Sequence, residues 1–77
     1  MGSGVEVREM QMSARNQLPG RIKKVKVGNL MTEVIMQVGD QELVAAITSG
    51  SAKRMKLKVG DQVFAIIKAT EVMIAKE

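Results

Sequence analysis

LMTEVIMQVGDQELVAAIT, residues Leu30 to Thr48, is the stretch that sets the fold class. Leu30, Val34, Met36 and Val38 share one parity, with Glu33 and Gln37 on the other. Beyond Gly39-Asp40, Leu43, Ala45 and Ile47 again share one face. Alternation with period two belongs to a strand that buries one face. Gly-Asp between two such runs is turn chemistry, because Gly reaches positive φ without a steric cost. The stretch reads as a hairpin with strands over 30–38 and 41–48.

The same punctuation extends in both directions. Pro19-Gly20 and Gly28-Asn29 read as turns bounding a Val-, Ile- and Lys-rich strand over 20–27. Gly60-Asp61 precedes 62–68, which is apolar on both parities and reads as a central strand, with Phe64 buried. A fifth strand is expected over 70–75, with Val72 and Ile74 on one side. Between the third and fourth strands, residues 49–57 suit one or two helical turns capped by Ser51, with Ala52 and Met55 facing inward. Five strands with one short helix after the third predict an all-β, five-stranded Greek-key barrel of the OB type. Val-Gly-Asp-Gln occurs at 38–41 and again at 59–62. Too few flanking residues match for a duplication, so the two copies read as shared turn chemistry.

Length and composition bound the function. Seventy-seven residues make one domain at most. The opening Met-Gly-Ser-Gly and the residues after it continue no later pattern. Residues 1–11 are therefore expected to be an expression tag or disordered extension, and 12–77 a single domain. Apolar runs are short and broken by charge, which predicts no membrane span and no signal peptide. One Phe and no Trp or Tyr leave a core of Val, Ile, Leu, Met and Ala. So small a core is marginal alone, and a homo-oligomer is expected. The net charge of +4 rises to +5 without residues 1–11 and points to an anionic partner.

No Cys and no His are present, which excludes thiol nucleophiles, zinc ribbons and iron–sulfur clusters and removes the commonest general base. The carboxylates after Gln11 are scattered over strands and turns, and no phosphate loop occurs. An enzyme is not expected. The alternative for an OB barrel is nucleic-acid binding. Arg21, Lys23, Lys24 and Lys26 form a basic run, but without stacking aromatics they read as a solvated edge. A third option is a small oxyanion, which needs converging N–H and O–H donors. Three clusters supply them: Ser13-Ala14-Arg15-Asn16, Thr48-Ser49-Gly50-Ser51, and Lys68 at the end of an apolar run.

Ser13 to Gly20, SARNQLPG, resembles the SARNxLxG opening of the molbindin (Mop) family. Glu42 to Thr48, Ser51, Leu57 to Val63 and Lys68 to Val72 follow the family pattern in order. The resemblance covers Met12 to Lys76. The same unit is the TOBE domain attached to molybdate transporter ATPases and molybdate-responsive regulators. The resemblance implies an OB-like barrel that exchanges strands between subunits of a homohexamer, a trimer of dimers. It implies non-catalytic binding of molybdate or tungstate at subunit interfaces, as a cytoplasmic store or buffer, with no cofactor. A molybdenum-pterin, invoked by an older family name, ranks lower as ligand. Carried over by motif, the oxyanion-binding residues are Ser13, Arg15, Thr48, Ser51, Lys68 and Ala69. Ala69 offers only its backbone N–H where some relatives offer a Ser hydroxyl. The resemblance also implies a second type of site near the three-fold axis, whose residues the motif does not assign.

Elementary chemistry agrees with that ligand class. Molybdate and tungstate are tetrahedral dianions with four acceptor oxygens and no proton. Hydrogen phosphate carries a proton that needs an acceptor, and an unpaired polar group in a dry site costs about 1–3 kcal/mol. A donor-only pocket rejects it. Sulfate, also proton-free, is excluded only by size.

Overall fold

The computed structural model describes residues 14–77. The hairpin forms where the alternation places it. Strand β2 spans Met31–Val38 and β3 spans Gln41–Thr48, paired antiparallel from Met31↔Thr48 to Val38↔Gln41. Thr32, Val34 and Met36 are buried on the inner face of β2, and Leu43, Ala45 and Ile47 face the same side from β3. Leu30 lies outside the strand and is exposed.

Strand β1 runs from Asn16 to Val27, four residues earlier than its sequence suggests. Pro19 and Gly20 are inside it, not in a turn. Over Asn16–Gly20 the strand pairs only with β4, which spans Gln62–Ile67, so the other side needs no N–H from Pro19. Gly20 permits a close crossing. A Cβ there would lie 2.6 Å from the Gln37 carbonyl oxygen and 3.0 Å from Val38 Cγ2. From Arg21 onward β1 pairs with β2, and a register shift between Ile22 and Lys24 leaves Lys23 as an extra residue. Such a bulge bends a strand and increases its twist. It lets β1 serve two neighbours, giving the antiparallel order β3-β2-β1-β4.

Two expectations need correction. β4 is an edge strand in this chain, not a central one, and Phe64 is 36% exposed on its outer face. Its apolar residues on both parities therefore have no cover on one side. Residues 70–75 form no fifth strand within the chain. Ala69–Glu71 make a single 3-10 turn, and the residues after it have no regular structure. Neither open edge, β3 or β4, is paired with them.

Helix α1, Ser49–Arg54, follows β3 directly. The cap is Thr48 rather than Ser51: Thr48 Oγ1 accepts the Ser51 N–H at 3.1 Å. Ala52 is buried, as expected, whereas Met55 is 57% exposed. The helix ends because the Lys56 N–H turns back to the Lys53 carbonyl and the Leu57 N–H to the Ala52 carbonyl. This closure puts Lys56 at φ +52, a left-handed position usually given to Gly. Six residues do not hold a helix unaided. Here Ser49 anchors it, its N–H donating to the Leu30 carbonyl at 2.8 Å and its hydroxyl to the Gly28 carbonyl at 2.7 Å. A 2.7 Å hydroxyl–hydroxyl bond joins Ser49 to Thr32, which is fully buried.

The chain's own core is thin. Among the described residues the buried apolar ones are Ile22, Val34, Met36, Ala52 and Ala65, while Val72, Met73 and Ile74 stand exposed on the last segment.

Candidate functional site

The expected donors fall into two groups. The first lies where β1 begins and β4 ends. Asn16 pairs with Ile67, and Asn16 Nδ2 donates to the Ile67 carbonyl at 3.3 Å. The residues flanking that pair are Arg15 and Lys68, both exposed. Lys68 precedes the 3-10 turn with extended backbone, and its carbonyl accepts the Glu71 N–H at 2.9 Å. Ala69 opens that turn and is exposed. Ser13 lies outside the described residues.

The second group is Thr48 and Ser51. The Thr48 hydroxyl donates to Ser51 Oγ at 2.8 Å. No acidic residue occupies the first turn of α1, so no negative charge opposes an anion there. One member was not visible by motif: Arg54, three residues after Ser51, whose Nη2 donates to Ser51 Oγ at 3.2 Å. The i,i+3 spacing on a helix was the only available signal. The Thr32–Ser49–Gly28 chain beneath was equally invisible, since it depends on a contact between β2 and α1.

Topology separates the two groups. β1 is antiparallel to both β2 and β4, and β2 to β3. Thr48 pairs with Met31 at the end of the sheet where β1 finishes, and Lys68 follows Ile67 at the end where β1 starts. A straight twelve-residue strand would hold them about 40 Å apart. The register shift bends β1, and the two groups lie by register at opposite ends of its ladders. One chain therefore presents two half-sets of donors at opposite ends.

Other chemistries find less support in the geometry. Lys23 pairs with Glu42 and Lys26 with Glu33, which neutralises half of the basic run on β1. Among the described residues no three His, Cys, Asp or Glu side chains cluster to hold a metal. No helix among them is long and apolar enough to cross a membrane. Among the described residues one carboxyl is shifted: Lys58 holds Asp61 below the ordinary aspartate range, first through its ammonium and then through its backbone N–H.

The family model described as the TOBE domain matches residues 12–74. The chain belongs to the TOBE domain family. Its relatives identify the molbindin type. A probable molybdenum-pterin-binding protein of Haemophilus influenzae is 38% identical over 69 residues, covering 88% of this chain and all of the relative. The molybdenum transport protein ModE of Herbaspirillum seropedicae is also 38% identical over 69 residues, but this TOBE domain spans only 26% of its length. The solved structure of a molybdate-binding protein from Sporomusa ovata superposes with a TM-score of 0.84 at 40% identity, covering 87% of this chain and all of that one. The TOBE domain thus occurs alone in two of these relatives and as part of a longer chain in the third.

Proposed function

We propose that this chain binds molybdate or tungstate without catalysis, in sites formed between copies of itself. One observation carries the reading: its donors sit in two half-sets at opposite ends of β1. A tetrahedral dianion that engages both needs Arg15, Lys68 and Ala69 of one copy beside Thr48 and Ser51 of another. Ser13, two residues before Arg15 in sequence, is a further proposed ligand residue and lies outside the described residues. The ligand class rests on the relatives, two of which are named for molybdenum-pterin or molybdate binding.

The assembly we propose is a homohexamer built as a trimer of dimers. Residues 70–75 supply a fifth strand to a neighbouring copy, closing its open sheet into an OB-like barrel. Exposed Val72, Met73 and Ile74 gain cover that way, as do Phe64 and Ile66 on the outer face of β4. Burying such residues stabilises by roughly 1.5–3 kcal/mol per large side chain. The role that follows is an intracellular, cytoplasmic store or buffer of the oxyanion, with residues 12–77 as its single domain and residues 1–11 dispensable.

Native mass spectrometry joined to a thermal-shift scan tests this. The expected mass is that of six chains, with melting raised by molybdate and tungstate at concentrations where phosphate has no effect. A monomer whose melting ignores both metal oxyanions overturns the reading.

A further inference from the structure

We infer that Arg54 is a specificity-determining residue of the oxyanion site, because it leaves the Ser51 hydroxyl able only to donate. The inference rests on the proposed binding of molybdate or tungstate. A serine hydroxyl has one proton and two lone pairs, and it rotates to give or to accept. Ser51 does not have that freedom. Its oxygen accepts from the Thr48 hydroxyl at 2.8 Å and from Arg54 Nη2 at 3.2 Å. Both lone pairs are taken, and the one proton is left for a ligand. Arginine suits the task because it carries no acceptor atom and stays protonated. The Thr48 oxygen is held in place as well, since it accepts the Ser51 N–H at 3.1 Å. Ser49 ties the start of the helix that carries Ser51 and Arg54 to Gly28, Leu30 and Thr32.

A fixed donor discriminates by protonation state. Molybdate, tungstate and sulfate present only acceptors and lose nothing. Hydrogen phosphate presents an O–H, and Ser51 has no lone pair for it. Without Arg54 one lone pair is released, and Ser51 can accept that proton. Arg54 thus does more than add positive charge, which would favour every dianion alike.

Competition calorimetry on the assembled protein separates the two roles. Affinities for molybdate, sulfate and phosphate are measured at pH 7.5 for the parent chain, Arg54→Met and Arg54→Lys. In Arg54→Met the preference for molybdate over phosphate is expected to fall about fivefold or more. The preference over sulfate stays unchanged, and Arg54→Lys, which still donates, restores discrimination against phosphate. Equal weakening of all three anions in Arg54→Met, or no change in any, overturns the inference while leaving oxyanion binding intact. A parent chain that binds none of the three overturns the functional reading and this inference with it.

Discussion

Val38–Gln41 and Val59–Gln62 have the same four residues, Val-Gly-Asp-Gln, yet the molecule uses them differently. At the first, Val38 pairs directly with Gln41, so Gly39 and Asp40 form a two-residue hairpin loop. Gly39 has φ +61, and nothing lies within 4 Å of the place a Cβ would take. The Asp40 carboxylate meets only Gln41 Nε2, at 3.4 Å. At the second, Gly60 has φ +95 and donates its N–H to the Ile22 carbonyl at 2.9 Å. The Ile22 N–H returns to the Asp61 carbonyl, also at 2.9 Å. Asp61 then accepts from the Lys58 backbone at 3.1 Å and from its ammonium at 3.0 Å. One copy is a hairpin tip held by local bonds, with Gln37 Nε2 donating to the Gly39 carbonyl at 3.0 Å. The other is clasped to Ile22, a core residue 1% exposed, beside the bulge that bends β1. Four residues suffice to specify a turn, but what depends on the turn is decided by the strand it meets.

Denaturant titrations at fixed protein concentration test the contrast, beginning with the clasp itself. Ile22→Ala is expected to destabilise by about 2–5 kcal/mol, since it empties the core beneath the second turn. Val38→Ala, at the partly exposed base of the first, is expected to cost clearly less; parity between them would break the comparison. Gly60→Ala follows at about 2 kcal/mol, because φ +95 lies beyond the left-handed well and the clasp cannot relax without releasing Ile22. Gly39→Ala is expected to cost about 1 kcal/mol, the backbone penalty alone in an open site. Equal losses at the two glycines would show that the clasp contributes nothing.

The smallest effect is electrostatic. The Lys58 ammonium, and after it the Lys58 N–H, lower the Asp61 carboxyl from its ordinary value. A lowered carboxyl in the folded state contributes stability that is present above the ordinary aspartate value and is lost as pH falls through the folded one. Acid titrations of Asp61→Asn should therefore lose a shallow component on the acid side of about pH 4. Asp40→Asn, run in parallel, controls for removal of a surface carboxylate. An Asp61→Asn profile that matches the parent would remove Lys58 from the account.

Legibility followed the range of the interactions. The β2–β3 hairpin was readable almost to the residue because one face, one turn and one alternation fixed it. β1 was read four residues short, since Pro19 and Gly20 usually mark turns. Here they mark a one-sided ladder and a close crossing, which only the positions of β4 and β2 reveal. The apolar content of β4 reads as a central, buried strand, yet β4 is an edge on which Phe64 and Ile66 stand exposed. Its edge position was hidden because nothing local states whether the cover comes from the same chain. The same holds for residues 70–75, whose strand-like alternation finds no neighbour within the chain. Thr48, Ser51 and Lys68 stood out by residue type, whereas Arg54 and Thr32 emerged only when the fold placed them beside other hydroxyls.

The placement of Thr48 at the end of β3 and Lys68 just after β4, at opposite ends of the β1 ladders, has a genetic consequence. If every complete site joins the head of one molecule to the tail of the next, defects at the two ends belong to different complementation groups. Molecules lacking the Thr48 and Ser51 hydroxyls, co-expressed with molecules lacking Lys68, would reconstitute intact sites wherever an undamaged head meets an undamaged tail. A mixed population of two inactive alleles would then hold oxyanion that neither allele holds by itself.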